Sequence, residues 1–114
     1  MPDCLFCKIA AKQIKADVVL ENDRLVAFKD INPQAPVHIL VIPRKHQATL
    51  NEADVADREL LGDLILAAKR LASEADVAAA GYRLVFNCNR DAGQSVFHIH
   101  LHLLGGRAMT WPPG

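Results

Sequence analysis

A chain of 114 residues holds enough sequence for one compact core and too little for two. Hydrophobic residues make up 51% and charged residues 23%, which excludes a disordered tail or a fibre. The 13 Lys and Arg residues balance 13 Asp and Glu, so no global field exists to hold a polyanion or an anionic membrane.

Leu5 to Lys12 predicts a short helix with Asp3 as N-cap. Val18–Leu20 and Leu25–Phe28 are β-rich runs on either side of Glu21-Asn22-Asp23, and they predict a hairpin. Val37–Ile42, bounded by Pro33, Pro36 and Pro43, reads as a central strand. From Arg58 to Val77 apolar residues recur at three- and four-residue steps (Leu60, Leu61, Leu64, Ile65, Ala68, Leu71, Ala72, Ala75). They predict the longest helix, with Asp57 as N-cap. Beyond Gly81, Tyr82–Asn87 and Val96–Leu103 read as strands joined by the polar loop 89–95. The order α-β-β-β-α-β-β with short connections predicts an antiparallel sheet with helices packed on it, an α+β fold forming one domain over residues 1–114. Residues 107–114 end it as an extension closing on Trp111-Pro112-Pro113-Gly114. The N-terminus carries no basic and apolar leader, and no segment approaches the roughly 18 apolar residues that cross a bilayer. The expectation is a soluble, cytoplasmic protein.

Phe97-His98-Ile99-His100-Leu101-His102-Leu103 alternates strictly, and a strand sends alternate side chains to opposite faces. Three imidazoles about 6 to 7 Å apart on one face disfavour one another's charged forms, so they are expected to be mostly neutral at pH 7. Neutral imidazoles serve as nucleophiles, proton acceptors or metal ligands. Two chemistries fit: a catalytic Zn²⁺ held by the histidines, or attack by one imidazole on a phosphoryl-type centre while its neighbours manage protons. Gly93-Gln94-Ser95 just before the histidines favours the second, because small-residue loops let main-chain N–H groups approach phosphate oxygens.

The three cysteines, Cys4, Cys7 and Cys88, are too few and too closely spaced for a disulfide framework. Cys4-x-x-Cys7 has zinc-ligand spacing, with buried core thiols as the alternative.

His98-Ile99-His100-Leu101-His102-Leu103-Leu104 resembles the His-x-His-x-His signature of the histidine triad family. The likeness continues through Asp30-Ile31-x-Pro33-Gln34-Ala35-Pro36-x-His38, Val41-Ile42-Pro43, Gly93-Gln94-Ser95, Leu104-Gly105-Gly106-Arg107 and the Trp-Pro-Pro-Gly tail, a set similar to the Hint branch. The chain departs from the family at Ala92, where glycine is usual, and at Ile14-Lys15-Ala16, which lacks the usual proline.

The resemblance implies a five-stranded antiparallel sheet, a homodimer with residues 107–114 at its interface, and hydrolysis of purine nucleoside phosphoramidates with AMP as a product. It implies His100 as nucleophile, His38 and His102 as its electrostatic and proton-handling partners, His98 as first triad histidine, and Ser95 at the leaving group. Asn87, Gly93 and Gln94 would meet phosphate and Asp30 the ribose hydroxyls, while Leu5, Phe6, Ile9, Phe28 and Ile31 would wall the base. Without the resemblance, a turn residue is the alternative reading of Asp30, and Leu5, Phe6 and Ile9 read as plain core. The resemblance also implies a structural Zn²⁺ on Cys4, Cys7, His46 and His98, leaving chemistry that needs no cofactor. Dinucleoside polyphosphate hydrolysis and a nucleotide-binding scaffold with incidental hydrolysis are the alternative functions. No nucleic-acid or membrane partner is expected.

Overall fold

A computed structural model describes residues 3–114. Its elements are α1 (Leu5–Ala10), β1 (Val18–Glu21), β2 (Leu25–Lys29), β3 (Val37–Pro43), α2 (Arg58–Glu74), β4 (Tyr82–Phe86) and β5 (Leu101–Gly105), with short 3₁₀ turns at Leu50–Glu52, Val55–Asp57 and Arg90–Ala92. Every strand pair is antiparallel and the sheet order is β1-β2-β3-β5-β4. The predicted α+β sheet, its first hairpin and its central strand are all present. No helix among the described residues is long and apolar enough to cross a membrane.

Strand alternation divides the molecule. Leu25, Ala27, Ile39, Val41, Leu101 and Leu103 face Leu64, Ala68, Leu71 and Ala72 of α2. Val26, Phe28, Leu40 and Ile42 point the other way and meet Phe6, Ile9 and Ala10 of α1. Each fully buried Leu or Ile in these layers contributes about 1.5–3 kcal/mol relative to exposure. His38, His100 and His102 lie on the α1 face, so α2 supplies the bulk of the hydrophobic support and α1 leaves room for chemistry.

The structure moves several boundaries. Cys4, rather than Asp3, caps α1, its sulfur accepting from Cys7 N at 3.3 Å. The helix ends at Ala10 because Lys12 turns left-handed (φ 61°) and Gln13 N reaches back to Lys8 O, a Schellman closure without glycine. Helix α2 ends the same way at Glu74, with Asp76 left-handed (φ 60°) and Val77 N bonded to Ala72 O. That closure presses Val77 against β5, where a Cβ on Gly105 would stand 2.9 Å from its side chain. Asp57 begins α2 without a side-chain cap; its carboxylate binds Lys45 Nζ (2.7 Å), Gln47 Nε2 (3.1 Å) and Asp54 N (3.1 Å) instead.

The last strand begins at Leu101, five residues later than the alternation suggests. Leu101 pairs with Val41, and two residues further along β3 lies Pro43, which has no N–H to extend the ladder. Pro43 O is taken by the His98 ring at 2.7 Å, and Ile99 N turns to Gln47 O at 2.9 Å. Phe97 is consequently half-exposed rather than part of an apolar face.

Candidate active site

A cavity of about 420 Å³ opens on the α1 face. Leu5, Phe6 and Ile9 of α1 and Phe28 of β2 form apolar walls, and Ile31, almost wholly exposed, stands at its rim. Asp30, His38, Ser95, His100 and His102 supply the polar lining. Ile14, Lys15, Ala16 and Gln34 also line it; they sit in loops, where no hydrophobic period marks them. A larger depression of about 580 Å³ lies between the first hairpin and α2. It holds no imidazole, thiol or hydroxyl, and its Arg24 is paired with Asp63 at 2.7 Å.

Main-chain hydrogen bonds set the protons of the histidines. His100 Nδ1 donates to His98 O at 2.7 Å, which leaves Nε2 with a lone pair. His38 Nδ1 accepts from Gln34 N at 3.0 Å, so its proton is on Nε2, where it donates to His102 Nδ1 at 2.9 Å. His102 then carries its own proton on Nε2. The cavity therefore holds one bare imidazole nitrogen and, on the adjacent ring with centroids 4.9 Å apart, one N–H donor.

Burial depresses all three rings. Desolvation lowers His38 although Asp30 Oδ2 lies 3.5 Å from its Nε2, and it lowers His100 against the bond to His98 O. His102 is pushed down to about 4, first by desolvation and then by His100 and His38. An NMR titration should find the His102 ring neutral down to about pH 4; a midpoint at the ordinary 6.5 or so would contradict the burial argument. The same depression ties stability to pH. Below its ordinary value the unfolded ring takes up a proton that the folded ring refuses, so stability should fall as pH drops from about 6.5 towards about 4.

Asp30 combines both readings of it. Its Oδ1 accepts from Asn32 N at 2.8 Å, a turn-forming bond, while the residue lines the cavity. Asn87, Gly93 and Gln94 do not line it. The Gln94 amide is engaged internally, donating to Ala48 O and Val96 O and accepting from Asn89 N. Gly93 takes a left-handed φ of 85° that closes the 3₁₀ turn before Ser95.

The His98 ring lies outside the cavity, fully buried. Its Nε2 donates to Pro43 O, so Nδ1 is a lone pair, and that atom faces Cys4 Sγ at 3.3 Å, Cys7 Sγ at 3.5 Å and His46 Nδ1 at 3.1 Å. Cys7 Sγ lies 3.3 Å from His46 Nδ1. Tetrahedral zinc with bonds of about 2.0–2.3 Å sets ligand separations of about 3.3–3.8 Å; the sulfur–nitrogen spacings fall within that range and the 3.1 Å between the two imidazole nitrogens lies just below it, so the donor set fits the ion in element and closely in spacing. Burial, then the neighbouring Cys4 sulfur, raises the Cys7 thiol above its ordinary value; two adjacent thiolates call for a cation between them. A tautomer fixed by a carbonyl on the far ring nitrogen is also the usual support of a zinc-binding histidine. Asp30, His38 and His102 form a second convergent group, but Gln34 N occupies the His38 Nδ1 lone pair and keeps a proton on Nε2, which does not suit a metal.

Fold and site together define an α+β protein built around a histidine triad. Residues 11–109 match the HIT domain, and the chain belongs to the HIT family. An uncharacterized HIT-like protein of Synechocystis is 49% identical over 112 residues, covering 98% of this chain and 97% of its own. A HIT family hydrolase from Legionella pneumophila has a similar structure at TM-score 0.97 and 57% identity, covering 98% of this chain and 100% of that one. A histidine triad nucleotide-binding protein from Candida albicans is similar at TM-score 0.82 and 30% identity, covering 96% and 83%.

Proposed function

We propose that this chain hydrolyses purine nucleoside phosphoramidates through a nucleotidyl-His100 intermediate. The observation that carries the reading is the buried His100, neutral and bare at Nε2, beside a cavity with apolar walls from α1 and β2 and Asp30 in its lining. A flat base suits the apolar walls and a cis-diol suits a carboxylate. His100 Nε2 forms a bond to the α-phosphorus as the P–N bond breaks, and the departing amine gains a proton. The Nε2–H of His102 hands over that proton, and the water that attacks next returns one to His102, so each ring ends the cycle neutral. Water then cleaves the phosphorus–imidazole bond, releasing the nucleoside monophosphate and restoring the neutral ring. Ser95, on the cavity wall, contacts the leaving-group side in this reading.

The donor set of Cys4, Cys7, His46 and His98 is assigned to one structural Zn²⁺, closed to substrate because all four positions come from protein. This reading makes the chain a cytoplasmic homodimer. The open edge of β4 and a Trp111 that is 83% exposed are surfaces a second copy would cover, and sedimentation at micromolar concentration tests this.

The deciding experiment compares turnover of adenosine 5′-phosphoramidate with that of a diadenosine polyphosphate. Faster cleavage of the phosphoramidate supports the reading, and the reverse assigns the chain to dinucleoside polyphosphates. Sugar selection gives a second check. A charge-assisted hydrogen bond of about 1.5–3 kcal/mol is lost with each missing hydroxyl, so AMP should bind about tenfold or more tighter than its 2′-deoxy form. Equal affinities would remove Asp30 from the ribose site.

A further inference from the structure

The place of the proton on His102 is set through the main-chain N–H of Gln34, which occupies His38 Nδ1, and Gln34 is itself held from the other end of the chain. Arg107 Nε donates to Gln34 O at 3.0 Å, and its Nη1 donates to Ala108 O at 3.1 Å. Gly106 lies against the same loop: with φ at 91°, a Cβ there would stand 2.9 Å from Pro36 Cβ. The segment after β5 thus grips the loop before β3 by one charged hydrogen bond and one close packing contact. We propose that Arg107 is a positioning residue which, through the main chain of Gln34, sets the tautomer of the His38–His102 pair.

The geometry links the two ends. Arg107 fixes the carbonyl of Gln34, and the N–H on the other side of the same Cα donates to His38 Nδ1. While that bond holds, the His38 proton is on Nε2 and the His102 proton on its own Nε2. If the loop swings away, His38 Nδ1 becomes free to take the proton. His38 Nε2 then turns into an acceptor, His102 Nδ1 must donate to it, and His102 Nε2 is left bare. Each ring keeps one proton throughout; what is lost is the N–H donor on the cavity side. Of the other titratable groups facing the pair, Asp30 Oδ2 lies 3.5 Å from His38 Nε2 and favours a proton on that same nitrogen, while His100 faces the His102 ring; the Gln34 N–H is the contact that occupies His38 Nδ1 itself. The loop's own tie, Gln34 Nε2 to Asn32 O at 3.0 Å, stays within the loop and does not anchor it to the sheet.

The inference rests on the proposed chemistry for its effect on rate, but the tautomer is measurable without substrate. Long-range ¹H–¹⁵N NMR of the imidazoles on the full chain should find His38 protonated at Nε2 and unprotonated at Nδ1. In Arg107→Met, which keeps much of the stem and removes the donors, the His38 and His102 nitrogen shifts should move towards the mixed-tautomer range, and Arg107→Lys should restore part of the difference. With adenosine 5′-phosphoramidate, kcat should fall about three- to tenfold while KM stays within about twofold, as expected when proton delivery alone is impaired. Arg83→Met, which frees the tail at Thr110 O but not at Gln34, should leave the His38 signals in place. Unchanged imidazole signals in Arg107→Met overturn the proposal, and so does an equal shift in Arg83→Met. Shifted signals in a protein that cleaves no phosphoramidate support the brace and overturn only the substrate reading.

Discussion

His100→Ala is expected to remove turnover and to leave nucleotide binding in the cavity largely intact. The proposed intermediate is a covalent bond to His100 Nε2, and no other bare ring nitrogen lies on the cavity wall, because Gln34 and the His38–His102 pair fix the remaining protons. Loss of a covalent nucleophile costs about 10⁴-fold or more in kcat. In the proposed reading binding falls to other lining residues, Asp30 and the apolar walls from α1 and β2, so AMP affinity should stay within about threefold. Rapid quench and intact-protein mass measurement should detect a nucleotidyl adduct on the wild type and none on the variant. Turnover near the wild-type rate would end the nucleophile assignment.

The second large effect is expected at the other cluster. Protein purified without chelator should carry about one zinc per chain, and Cys4→Ser with Cys7→Ser should lose it. The ligands join α1, the segment after β3 and the residue that begins the triad, so their release loosens three parts of the chain at once. For a domain of this size each kcal/mol moves Tm by several degrees, and a drop of about 10 °C or more is expected. Cys4 is also the N-cap of α1, so an apo wild type prepared with chelator separates loss of metal from loss of the cap. Nucleotide affinity should weaken because α1 walls the cavity, while adduct formation on His100 persists. A metal-free wild type whose Tm ignores both substitutions would return the cysteines to core packing.

Elements with a clean period were legible in the residues themselves. Leu60, Leu64, Ala68, Leu71 and Ala72 mark α2, and the apolar run ahead of Pro43 marks the middle strand, because each pattern reports burial on a surface of known geometry. The triad's alternation put its imidazoles on one side of the chain but placed the strand too early. What interrupts it is distant: the missing N–H of Pro43 and the Gln47 carbonyl that captures Ile99 N. The division of labour between His98 and His100 is likewise absent from their spacing. It follows from which ring nitrogen meets Pro43 O and which meets His98 O. Gln34 was visible only as one residue in a run between prolines, since its contribution to the site is a main-chain N–H that any residue but proline would offer. Lys15 and its neighbours line the cavity from an irregular loop, for which apolar periodicity has no signal.

The position of β3 between β2 and β5 has a consequence for how the molecule comes to exist. His38 and His102 belong to strands paired in register across most of the chain, so the site appears only when a long loop closes, an entropic cost that grows slowly with length but precedes any reward. During synthesis β1, β2 and β3 are complete well before residues 101–105 leave the ribosome. Until then one edge of Val37–Pro43, the most apolar strand of the sheet, has no partner. An unpaired apolar edge is a template for another chain. α2, made in the interval, can cover one face of that strand but not its edge. The last strand thus completes the histidine cluster and seals the nascent protein against self-association in the same event, and a chain truncated before Leu101 is expected to aggregate rather than persist as a stable fragment.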